Sequence, residues 1–142
     1  MRTMQFATAL ILITALPSIT LKANPNSEEM SQIRQGIDNA RNDYHKYGLV
    51  EVKRRVKAYF SVAMFAQSRG LDSKSAYIQL VAAYTYGKMF ADATNNKTQG
   101  VEEFFETSRY EGTMTTLVSN GVFSATELER IIKKSQILTN KQ

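Results

Sequence analysis

The chain has 142 residues, 18 Lys and Arg against 13 Asp and Glu, and a formal charge of +5. That balance is ordinary for one small domain and gives no electrostatic case for a nucleic-acid partner. The complete lack of cysteine removes thiol catalysis, disulfides and cysteine zinc sites, so apolar burial alone must hold the fold.

The N-terminus reads as a secretory signal peptide, residues 1–23. Arg2 supplies the positive start, residues 6–16 (FATALILITAL) form a short uncharged apolar run, and Pro17 ends it. The run is too short for a transmembrane helix, which needs about 20 apolar residues. Ala23 is the expected cleavage position, and cleavage there leaves 119 residues carrying a formal charge of +3. Residues 24–142 then form one exported helical domain with no stable membrane insertion. The absence of disulfides fits a bacterial periplasm, although a fully secreted protein would read the same way.

In the mature part, Ser27 is placed to cap a first helix, with Glu28 and Glu29 at its positive end. Met30, Ile33, Ile37, Ala40, Tyr44 and Tyr47 recur every three or four residues, which puts them on one stripe. The stripe suits packing inside a bundle, and it leaves a homodimer open. Gly48 stops the helix. A second helix is predicted over residues 49–68, with Val52, Val56, Tyr59, Phe60, Ala63 and Met64 inward and Arg69-Gly70 as its stop.

Asp72 or Ser73 caps a third helix over residues 74–93. Its apolar residues point in nearly every direction, which makes it the central element. Residues 94–100 (TNNKTQG) read as a polar loop. A fourth helix begins at Val101, and Gly112 among several Thr predicts a kink or break between Ser108 and Thr113. Asn120-Gly121 closes it. Ser124-Ala125-Thr126-Glu127 is a capping box, with Phe123 and Leu128 placed as a hydrophobic staple for the last helix. The expected fold is all-α, a single-domain bundle of about five helices around a central apolar one.

Candidate chemistry is sparse. His45 is the sole histidine, it lacks a suitably spaced carboxylate, and no Gly-x-Ser-x-Gly elbow occurs, so it reads as a surface or helix-end residue. Glu102, Glu103 and Glu106 could suggest paired carboxylates. The Glu-Ser and Gly-Leu-Met-Gln pattern of lytic transglycosylases is missing, and acids at a helix start compensate its dipole. No residue set has metal-ligand spacing, and no catalytic residue, cofactor site or metal site is assigned. The candidate partner-binding residues are the basic run Lys53, Arg54, Arg55 and Lys57, together with Asn95, Asn96 and Lys97 of the polar loop.

Three stretches carry a family resemblance: residues 41–47 (RNDYHKY), the Ala-rich, Tyr-bearing residues 75–93, and residues 124–132 (SATELERII). With a cleaved signal and an all-helical domain, they resemble the periplasmic immunity proteins of type VI secretion amidase effectors. The resemblance implies a helical dimer that plugs the active-site groove of a peptidoglycan-cutting toxin. No site residue is carried over from it. The expected function is therefore a periplasmic binding protein that inhibits a toxic envelope enzyme and is not itself an enzyme. The alternative is an accessory or assembly factor of a secretion, pilus or conjugation apparatus.

Overall fold

Helices account for nearly all of the described residues, 25–94 and 101–141, of the computed structural model, and no strand occurs among them. The predicted signal peptide and the loop residues Asn95, Asn96 and Lys97 lie outside the described residues. In chain order the helices are α1 (Pro25–Tyr47), α2 (Leu49–Ser68), α3 (Lys74–Thr94), α4 (Val101–Phe104), α5 (Thr107–Ser119) and α6 (Ala125–Asn140).

α1 begins at Pro25, so Ser27 lies inside its first turn rather than at the cap. Proline suits that opening position, where its missing N–H would have had no helical partner. Ile33, Ile37 and Ala40 are buried in the bundle, each Ile contributing about 1.5–3 kcal/mol by leaving water. The apolar seam of α1 is thus spent on the chain's own core. Tyr47, expected on that seam, is exposed, because α1 ends there against a one-residue link. Gly48 makes the link at φ 78°, and its N–H donates to the Tyr44 carbonyl at 2.9 Å. A side chain at that angle would be strained.

α2 closes in a Schellman motif, in which the Leu71 and Gly70 N–H groups donate to the Ala66 and Gln67 carbonyls at 2.8 and 3.1 Å. α3 follows at once. The Ser73 carbonyl accepts its first helical bond from Tyr77, and the Asp72 carboxylate accepts from the Lys74 N–H at 3.0 Å. Both candidate caps are therefore in use.

From Tyr77 to Gly87, α3 is buried at every position except half-buried Gln79, as its all-round apolar character predicts. It packs against α1 on one side, α2 on another and α6 on a third. Gly36 permits the closest of these approaches. A Cβ there would sit 2.7 Å from the Gln79 carbonyl oxygen and 2.9 Å from the Ala82 methyl.

The break in the fourth predicted helix falls at Phe105 and Glu106, not between Ser108 and Thr113, and Gly112 sits in uninterrupted helix. Packing decides this against propensity. Two adjacent rings, Phe104 and Phe105, are both buried, and an unbroken helix would turn one roughly 100° away from the other. Phe104 stacks on Tyr84 at 4.7 Å, while Phe105 fills the space over Gly87. The Tyr84 hydroxyl donates to the Phe104 carbonyl at 2.6 Å and satisfies a group that the break frees.

Before α6 the capping box forms as expected. The Glu127 N–H donates to the Ser124 hydroxyl at 3.1 Å, and the Ser124 N–H donates to the Glu127 carboxylate at 3.3 Å. Phe123 and Leu128 are both buried beside it. Leu138, not Ile137, continues the inner face of α6. One apolar cluster takes side chains from all six helices.

Candidate functional site

Only one side of α2 is needed by the bundle. Leu49, Val52, Val56, Tyr59 and Ala63 are buried against α1 and α3. Beyond Lys57 the opposite side is apolar as well. Phe60, Val62, Met64 and Phe65 are 44%, 58%, 50% and 58% exposed. Phe60 and Met64 were expected inside. They stay outside because α5 does not pack against α2, and a narrow gap over Leu80 and Tyr84 of α3 separates the two.

That gap is a groove of about 350 Å³. α2 supplies one wall through Val56, Lys57 and Phe60, and α5 supplies the other through Arg109, Thr113 and Leu117. Leu80 and Tyr84 of α3 form the floor, and Phe104, stacked on Tyr84, also lines it. Burial pushes the Tyr84 hydroxyl above its ordinary pKa, so it stays protonated at neutral pH and keeps donating to Phe104.

The basic run does not act as a unit. Arg55 donates twice to the Asp43 carboxylate, at 2.7 and 3.1 Å, and ties α2 to α1 across the Gly48 link. That paired carboxylate holds the Arg55 guanidinium above its usual pKa. Arg54 is exposed and pairs with Glu51 at 3.2 Å. Lys53 is half-buried with its ammonium 5.6 Å from the Phe104 ring centre. Lys57 alone of the four stands on the groove rim.

No protein family, curated protein or solved structure matches this chain.

His45 is exposed beside the Tyr44 ring, Glu103 and Glu106 are exposed, and Glu102 is half-buried. Among the described residues no group of three or more His, Asp and Glu is arranged to hold a metal ion, and no helix is long and apolar enough to cross a membrane.

The most concentrated charge cluster in the described part escaped the sequence reading. Buried Glu29 of α1 accepts from Arg130 at 2.7 and 3.0 Å and from Lys134 at 3.1 Å, both on α6. The Arg130 hydrogen bonds outweigh desolvation and hold the Glu29 carboxyl below its ordinary pKa. Arg130 and Lys134, four residues apart, share a helix face. Nothing local indicates which carboxylate they meet, 101 residues away.

Proposed function

We propose that this chain is exported to the periplasm, is cleaved after Ala23, and acts there as an inhibitor, or immunity protein, of a toxic cell-envelope enzyme. The observation that carries this reading is the outer side of α2, where four large apolar side chains lie in water within two helical turns. Clustered apolar exposure on a small domain marks an interaction surface more often than scattered exposure does. Arg54 and Lys57 lie at its N-terminal edge and favour an acidic rim on the partner. A rigid bundle laying such a face over a catalytic cleft blocks substrate without chemistry of its own.

The test is capture from periplasmic extract on the immobilised mature chain, followed by a peptidoglycan-hydrolysis assay of whatever is retained. A retained hydrolase that the chain inhibits, and that escapes inhibition by the Phe65→Asp variant, supports the proposal. Retention of a structural component of a secretion, pilus or conjugation apparatus assigns the assembly role instead. Release of peptidoglycan fragments by the chain itself, lost on changing Glu102, Glu103 or Glu106 to Gln, would overturn a non-catalytic role.

A further inference from the structure

The groove between α2 and α5 has the composition of a small-molecule site. Its volume of about 350 Å³ lies at the lower end of the roughly 300–1,000 Å³ usual for such sites. Val56, Leu80, Phe104 and Leu117 make the interior apolar. Lys57 on one wall and Arg109 on the other are exposed and flank the opening.

These two cations carry no neutralising partner, unlike seven others in the described part. Arg41, Arg54, Arg55, Lys74, Lys88, Arg130 and Lys134 all pair with carboxylates. Lys57 and Arg109 pair with none among the described residues, and Arg109 lies 5.9 Å from the Phe104 ring centre. An apolar trough with two unneutralised cations at its mouth is complementary to one chemistry, an apolar chain ending in an anion.

We infer that the groove binds a free single-chain carboxylate of the medium-chain fatty acid class. Its tail lies along Leu80, Phe104 and Leu117, and its head sits between Lys57 and Arg109. A guanidinium presents two parallel N–H donors that fit a carboxylate. The small volume, about 350 Å³, excludes a two-chain lipid and a docked helix. The groove shares Lys57 and Phe60 with the docking side of α2 proposed above, and binding of a small ligand is read without any partner protein.

The experiment is titration of the purified chain with dodecanoate below its micelle concentration, followed by calorimetry and amide NMR. Saturable one-to-one binding is expected, with shifts concentrated at Leu80, Tyr84, Phe104 and Thr113. The double variant Lys57→Gln, Arg109→Gln should bind about tenfold more weakly, since it loses charge-assisted contacts while changing only exposed side chains. Dodecyltrimethylammonium, with the same tail and the opposite charge, should not saturate. Thr113→Phe, or Thr116→Phe on the more exposed turn, fills the groove and should abolish binding with the helical circular dichroism retained. Failure of dodecanoate to saturate, or equal affinity in the double variant, overturns the inference. So do shifts centred instead on the cleft lined by Met114, Leu128 and Ile132. Shifts at Phe60, Ser61 and Thr113 that grow with protein concentration in the absence of ligand would give the groove to a second copy and overturn it too.

Discussion

Replacing Glu29 with Gln should cost about 2 kcal/mol at neutral pH. The variant loses three charge-assisted hydrogen bonds, to Arg130 at 2.7 and 3.0 Å and to Lys134 at 3.1 Å. A fully buried ion pair that loses one partner costs about 3–5 kcal/mol, because the other charge is stranded. Here the Arg130 and Lys134 side chains are 41% and 25% exposed against 9% for Glu29, so water can rehydrate the cations. The cost then falls towards that of one charge-assisted bond, about 1.5–3 kcal/mol. For a domain of this size that is a drop in Tm of about 8 °C. Because the folded Glu29 pKa is lowered, the ionised carboxylate gives its full stabilisation above the ordinary value of 4.5. That stabilisation is lost as pH falls through the depressed folded value. Urea unfolding followed by circular dichroism, with both proteins at each pH, should show a wide gap at neutrality that closes in acid. A gap within about 0.5 kcal/mol at neutral pH, or one that stays constant into acid, would refute the reasoning.

Three further substitutions test other parts of the fold by the same unfolding assay. Ser124→Ala removes the capping-box acceptor and should cost about 0.5–2 kcal/mol. Gly36→Ala forces a methyl against the Gln79 carbonyl of α3 and should cost about 1–3 kcal/mol, whereas Gly112→Ala, in open helix, should stabilise by about 0.5–1 kcal/mol. Arg55→Glu places a carboxylate against Asp43 and should lower stability, while Arg54→Glu, at an exposed position, should shift it by no more than about 0.5 kcal/mol.

Local spacing and capping chemistry carried much of the architecture. The α1 stripe worked because Ile33, Ile37 and Ala40 are separated by polar residues, so one inward direction is defined. The α6 start worked because the capping box is built from neighbours in sequence. On α2 the same reasoning fails where residues 58–66 (AYFSVAMFA) are apolar on almost every side. Periodicity then cannot say which side the bundle claims. Phe60 and Met64 are outside because of where α5 lies, and α5 lies there because the chain breaks at Phe105 instead of near Gly112. That break is fixed in turn by Tyr84 and Gly87 of α3, which receive the two adjacent rings.

The candidate site was legible only where it coincided with charge. Lys53, Arg54, Arg55 and Lys57 are visible as a run, yet their different roles depend on Phe104, Glu51, Asp43 and the groove. Arg109 gave no signal of its own, since a single Arg at the start of a weak helix has no pattern to belong to. It gains meaning from Lys57, which lies 52 positions earlier and faces it across Leu80 and Tyr84. A site made from one side of each of four helices exists only after the bundle has formed. The α4–α5 break that misled the propensity reading is the same feature that opens the groove: moving the break to Gly112 would leave Arg109 on one helix and Thr113 and Leu117 on another, and so take its second wall apart.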